Sequence, residues 1–452
     1  QAAAWKEVGV SRVDSQGILY YVTDQWGKES NIARHSQDGP VQLTFFGKSV
    51  MYPSISYDGS KIVFLMEYEM NVLDIASGKV AKPQVDLSNS SFELRKSFAA
   101  QKPSAAAVSP DDKKLALAIR GMLYISDIKG EYLKKLETPA DERVTKVIWG
   151  EDSKTVYYLR TNKGWSNLYR IAADGSSGEQ PVFTPECSVT SLTASHSGKL
   201  MAFASGNRDI YIGKTGSGTV EKVAEAQIWS YMSHCFDFSF DDKFLAFDAI
   251  NMFEPEIYIY DIEAAKLKNL TNSASVEETP RFSADGHNLY FQGNILSASF
   301  PRGASSGNNI YRLPLRKYDR PFKSDSYTEL FAKAPAKDST IRIDYSDIFD
   351  RVEIEASNSS SPYIFKTKAK EYGFCTQRKD GKAVLTVREL SDSKAKPKEV
   401  SGFTGGTFFH SKDNLYCITR AGDIYKVDPA SAKGTKIDIE ANVDKTLQDE
   451  FS

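Results

Sequence analysis

Reactive and metal-binding side chains are scarce in this chain, with four cysteines and five histidines among 452 residues. Cys187, Cys235, Cys375 and Cys417 lie far apart and form no CxxC pair. That spacing argues against a zinc knuckle or a dithiol redox motif. They read as small buried hydrophobes, and spacing alone does not say whether two of them pair. His35, His196, His234, His287 and His410 are scattered with no HExxH spacing, so each reads as a surface or hydrogen-bonded structural residue, and neither metal nor cofactor is expected. A net charge of −2 removes the electrostatic case for nucleic acid or an anionic membrane. No apolar run approaches the roughly 20 residues that cross a bilayer. Nothing at the start resembles a signal peptide, and Gln1 reads as a mature terminus left by its cleavage or as an engineered start. A periplasmic or otherwise exported location is therefore expected, with the cytoplasm as the alternative.

What the chain does have is a buried-core composition, 41% hydrophobic and 12% aromatic, and one phrase written six times. The copies are Ser56-Tyr57-Asp58-Gly59, Ser109-Pro110-Asp111-Asp112, Gly150-Glu151-Asp152-Ser153, Ser195-His196-Ser197-Gly198, Ser239-Phe240-Asp241-Asp242 and Ser283-Ala284-Asp285-Gly286. Their third positions step by 53, 41, 45, 44 and 44 residues, the period of four-stranded propeller blades. Asp accepts local backbone N–H groups and Gly tolerates positive φ, so the phrase reverses the chain between strands.

An apolar run follows each phrase, such as Lys61-Ile62-Val63-Phe64 or Phe244-Leu245-Ala246-Phe247, and then an alternating one, such as Asp209-Ile210-Tyr211-Ile212. Both read as strands. Polar turns then lead to weaker outer strands such as Leu267-Lys268-Asn269-Leu270. Gly17–Val22 is a further copy with a worn turn, and two late hairpins surround Tyr372–Cys375 and Asn414–Cys417. The fold expected is all-β, a β-propeller of four-stranded blades in one large ring of eight or nine, the alternative being a seven-bladed ring with a β extension. Blades are expected over 12–315, a linker or excursion over 316–340, further blade units joining the propeller over 341–438, and the start of a truncated downstream region over 439–452.

The repeat resembles those of Tol-type, WD-like and tricorn protease propellers. Ile343-Asp344-Tyr345-Ser346-Asp347-Ile348-Phe349-Asp350-Arg351-Val352 is similar to the tricorn-family stretch I-D-x-x-x-I-x-x-R-V. Asn442–Phe451 resembles the acidic lead into that family's helical domain. The resemblance implies the noncatalytic propeller region of a serine peptidase, filtering or positioning peptides or unfolded segments. It also implies downstream PDZ-like and peptidase domains and a homo-oligomer. The family's catalytic residues have no counterpart here, so none is assigned. The alternative is a free-standing Tol-like propeller that binds a protein partner.

Two motif matches have bland explanations. Gly303-Ala304-Ser305-Ser306-Gly307 fits G-x-S-x-G but lacks the strand-to-helix setting of a nucleophile elbow. Gly213–Gly218 lacks phosphate-loop order and reads as a blade turn. Asp111-Asp112 and Asp241-Asp242 also read as turn residues, since calcium wants six to eight oxygens. The binding candidates are loops that a propeller gathers at one mouth, between second and third strands and leading into each blade. These bring Trp26, Arg160, Trp165, Arg208, Trp229, Tyr231 and Phe253. Aromatic side chains give contact area at low entropic cost and Arg can hold a carboxylate, so an extended peptide is the expected guest; the competing reading packs each aromatic between blades.

Overall fold

The computed structural model describes residues 8–85, 95–229, 234–273, 275–294, 308–317, 341–392 and 394–446. Within them lie nine four-stranded antiparallel sheets, each built from consecutive strands, and one two-stranded ribbon. The chain divides into two compact units after Phe92. The first holds two sheets, whose inner strands are Val8–Val13 and Val50–Ile55. Tyr20, Val22, Ile32, Val50, Ile62, Phe64 and Leu73 form the core that joins them.

The second unit holds the other seven sheets. Their inner strands, numbered here as blades one to seven, are Pro103–Val108, Val144–Trp149, Val189–Ala194, Phe236–Phe238, Glu277–Phe282, Ser359–Lys366 and Thr407–His410. The apolar residues of each blade pack on the next. Val147 and Trp149 meet Ala116 and Leu123; Leu192 and Phe203 meet Ile148 and Tyr157; Phe236 and Phe247 meet Ala202 and Ile210. Phe282 and Phe291 then meet Ile257 and Ile259, Ile364 meets Tyr290 and Ile310, and Leu415 and Cys417 meet Phe374 and Val387. Tyr416, Ile418 and Ile424 of blade seven finally pack on Leu115, Leu117 and Tyr124 of blade one. The packing within this unit therefore runs in a cycle of seven, as in the alternative expectation of a seven-bladed ring rather than one ring of eight or nine.

The cycle is stitched where it closes. Arg95–Gln101, ahead of blade one, pairs antiparallel with Ala441–Thr446, which follows blade seven. Ser97 Oγ donates to Asp444 at 2.5 Å and the Ala100 N–H to Asn442 Oδ1 at 3.1 Å. Pairing the two ends satisfies backbone groups that would otherwise form an open edge. Asn442 to Thr446, read as the lead into a downstream region, thus form this ribbon, and Leu447 to Phe451 lie outside the described residues.

The repeated phrase builds the turns between inner and second strands. In blade four, Ser239 Oγ donates to Asp241 at 2.7 Å and accepts the Phe244 N–H at 2.9 Å; Ser283 and Asp285 repeat this in blade five. The fourth position is left-handed in all six copies, at Gly59, Asp112, Ser153, Gly198, Asp242 and Gly286, with φ of 55 to 76°. This is the conformation that Gly and Asp tolerate best. Those turn carboxylates also tie blades together: Asp242 accepts from Ser197 Oγ at 2.5 Å, and Asp112 accepts from Tyr416 Oη at 3.1 Å. Ser411-Lys412-Asp413-Asn414 is a seventh, shorter copy, closed by Asn414 N–H donating to Ser411 Oγ at 3.1 Å.

The stretch Ile343–Val352 lies between the third strand, Asn309–Pro314, and the outer strand, Glu353–Ala356, of blade five. Ile343, Tyr345, Ile348 and Val352 pack on the core between blades four and five. Arg351 donates to the carbonyls of Pro314 at 3.0 Å and Asp344 at 2.6 Å, which holds the crossing against the sheet. All four cysteines are free thiols. Gly213–Gly218 forms a strand end and turn, and Gly303–Gly307 lies outside the described residues.

Candidate functional site

Alternating strand direction sends the second-to-third hairpins and the loops leading into each blade to one end of the ring, and the repeated turns to the other. At the turn end the ring fills itself. His196, from the blade-three turn, stacks on Phe240 of the blade-four turn at 3.7 Å between centroids and 10°. Its Nδ1 lies 3.3 Å from Nε2 of His410 in blade seven. In a cycle of seven, blades three and seven touch only across the axis, so these three rings meet there. His410 Nδ1 lies 2.9 Å from the Ser411 carbonyl, which can only accept. Its Nε2 is then the acceptor and His196 Nδ1 the donor. His196 Nε2 faces Asp237 Oδ1 at 3.6 Å.

Blades four to six supply the wall behind this plug. Asp237, buried, accepts the Phe282 N–H at 2.8 Å and Arg281 Nη1 at 3.3 Å, so one carboxylate caps the inner edge of blade five and neutralises its guanidinium. Arg281 lies 5.7 Å from the Tyr363 ring centroid, and Tyr363 and Phe365 present their rings edge-on to His410. Inner strands carry a register shift ahead of these positions: between Val144 and Lys146, Glu278 and Arg281, and Ser360 and Tyr363. Thr279 and Ser361 sit in these last two with φ of 52 and 56°. A bulge of this kind re-aims the side chain that follows it.

Burial sets the protonation states. It pushes the Cys235 thiol up to about 12 against the pull of Arg281, so Cys235 is a neutral thiol and not a nucleophilic thiolate. Burial and then the neighbouring His196 push the His410 imidazole down to about 4. Lys146 is reached by solvent yet walled in, and that desolvation lowers its ammonium, with Arg281 adding to the effect. Among the described residues no three His, Cys, Asp or Glu side chains are placed to hold a metal ion.

The candidate mouth residues lie in different settings. Trp26 is 42% exposed in the second-to-third loop of a first-unit sheet. In the ring, Trp165 is half-buried beside the two-residue turn Lys163-Gly164, Arg208 is half-buried after the turn at Gly206, and Trp229 is half-buried in the loop leading to blade four. Phe253 is 60% exposed at the tip of the blade-four hairpin. Arg160 is buried on its own blade: it donates two hydrogen bonds to Glu179, Nε to Oε2 at 2.8 Å and Nη2 to Oε1 at 2.5 Å, and stacks over Tyr169 at 3.8 Å. Tyr231 lies outside the described residues.

In the sequence, His196 and Phe240 fall in the repeated turn phrase, and His196 and His410 read as surface or hydrogen-bonded structural residues. One signal was present: the second position of the phrase changes freely, through Tyr57, Pro110, Glu151, His196, Phe240 and Ala284. At His196 and Phe240 that position reaches the axis.

No family model matches the chain. It is 25% identical over 288 residues to the Tricorn protease of Thermoplasma acidophilum, a match covering 60% of this chain and 26% of that protein. The crystal structure of the tricorn protease superposes with a TM-score of 0.60 at 17% identity, covering 98% of this chain and 44% of that one. TolB from Acinetobacter baumannii gives a TM-score of 0.37 at 14% identity, over 77% of this chain and 78% of that one. The chain thus spans less than half the length of the tricorn protease. It is a β-propeller region related in sequence to the tricorn protease and sharing its fold.

Proposed function

We propose that this propeller region handles peptides for a tricorn-like serine peptidase, receiving extended segments at the loop end of its ring. The observation that carries this reading is the meeting of His196, Phe240 and His410 on the axis at the turn end. An axis filled there leaves the loop end as the side from which an extended guest reaches the channel. The sequence relation to a protease supports a proteolytic setting. Half-buried Trp165 and Trp229 are rigid amphipathic anchors of the kind that bind peptides through buried area with little loss of entropy. The peptidase chemistry belongs on this account to another domain of the same protein, because Asp237 and Arg281 are paired with each other and Cys235 is held as a thiol.

Fluorescence anisotropy with labelled unstructured peptides tests the reading. Binding is expected, and the double substitution Trp165→Ala and Trp229→Ala is expected to weaken it roughly tenfold or more. Absence of binding by every peptide, or full binding by the double variant, would sink the proposal. The intact mass of the natural product addresses the setting: a mass well above 50.3 kDa with a peptidase region is expected, and a product of this mass that docks a folded partner would favour an independent binding module.

A further inference from the structure

Within the ring, the hairpin tip of blade four departs from its siblings; in the first unit the turn Glu67-Tyr68, with φ of 53 and 68°, likewise holds out an aromatic, Tyr68, 50% exposed. Two-residue turns join second and third strands at Arg120-Gly121, Lys163-Gly164 and Asp380-Gly381, with φ pairs of 46 and 77°, 51 and 88°, and 49 and 77°. Blade four keeps this geometry with Met252-Phe253, at 49 and 74°. Phe therefore stands where the siblings use Gly, in a conformation that bulky residues resist. Met252 is 81% and Phe253 60% exposed, so most of each side chain faces solvent. A pair of large apolar side chains held out on a rigid tip fits a contact surface.

The ground beside this tip is acidic. The strands that carry it, Phe244–Asn251 and Glu254–Asp261, both pack on the inner strand of blade five. Glu277 and Glu278 begin that strand. Glu256 and Glu254 add to the burial that raises Glu277, and Asp248 adds to the burial that raises Glu278, with His234 partly opposing it. Glu277 is 0% exposed; its Oε1 accepts Ser273 Oγ at 2.5 Å, while Oε2 has no hydrogen bond of ordinary geometry. Of the five carboxylates around this hairpin, Asp248, Glu256 and Glu277 are buried, Asp248 facing His234 Nδ1 at 2.8 Å and Glu256 accepting from the Asn251 and Asn269 amides, whereas Glu254 and Glu278 are half-buried at the loop end.

Resting on the peptide-handling reading above, we infer that this corner of the mouth selects extended peptides in which apolar residues alternate with Lys or Arg. Met252 and Phe253 take the apolar side chain, and the half-buried carboxylates of Glu254 and Glu278 take the cation.

Three labelled peptides of equal length test this, one alternating Leu and Lys, one Leu and Glu, one Ser and Lys. The Leu–Lys peptide is expected to bind about tenfold or more tightly than either other. Phe253→Gly installs the residue that the sibling turns carry, so it is expected to keep the melting temperature; Phe253→Asn, also at home at positive φ, is the second variant. Both should weaken Leu–Lys binding about tenfold and leave Ser–Lys binding unchanged. Glu278→Gln should narrow the gap between Leu–Lys and Leu–Glu. If none of the three peptides binds, the mouth itself is not a peptide site. If they bind without preference, or if both Phe253 variants bind Leu–Lys as the parent does, the selectivity inferred here is overturned while peptide handling stands.

Discussion

Glu277 should make the ring less stable as the pH rises, and Glu277→Gln should remove that loss. Burial pushes its carboxyl from an ordinary 4.5 up to about 7; the hydroxyls of Ser273 and Thr271 pull it partly back, and Glu256 and Glu254 push it up again. An unfolded chain ionises this group near 4.5, so between there and about 7 the folded state holds more protons than the unfolded state, and stability falls with rising pH. The gap between 4.5 and about 7, at 1.36 kcal/mol per pH unit, amounts to about 3 kcal/mol. That figure applies undiscounted because the side chain is wholly buried. Gln keeps an oxygen for Ser273 and carries no charge. Urea midpoints of the parent and Glu277→Gln, followed on the ring's own transition at pH 5 and pH 8, give the test as a double difference. This matters because buried Glu371, also pushed by burial up to about 7, slopes in the same direction. The variant is expected to gain about 2–3 kcal/mol on the parent at pH 8 and little at pH 5. A variant equally destabilised at both values would refute the reasoning.

Three further outcomes follow from particular contacts. Arg160→Ala leaves Glu179 and Tyr158 Oη facing each other on a buried blade surface, and should lower stability by about 3 kcal/mol in denaturant unfolding. His410, held down to about 4 by burial and by His196, should stay neutral in an NMR titration from pH 7.5 to pH 5; with its folded value below the unfolded one, it contributes stability above about 6.5 that is lost as the pH falls toward 4. Val443 is buried in the ribbon that joins the ring's ends, so Val443→Asp should strip hydrogen-exchange protection from 95–101 and 441–446 well before the blades open.

The blades were legible because their turns are local. Ser, Asp and Gly at fixed offsets bond to backbone within five residues, so Ser239, Asp241 and Phe244 state their turn wherever the blade sits. How many sheets share a cycle was not, because that depends on contacts such as Tyr416 with Asp112, 304 residues apart. Arg160 looked like a mouth residue by its place at a hairpin, yet strand pleat sends its side chain down the blade onto Tyr169 and Glu179. His196 was read as a turn residue, which it is; only the arrangement of blades three, four and seven makes that turn point across the axis.

The most direct test of a peptide site at the loop end is photo-crosslinking with an unstructured peptide bearing a photoreactive phenylalanine, mapped by mass spectrometry. Crosslinks clustered on Trp165, Trp229, Met252 and Phe253 are the expected result. Crosslinks confined to the turn end, around His196, Phe240 and Asp285, would contradict the account.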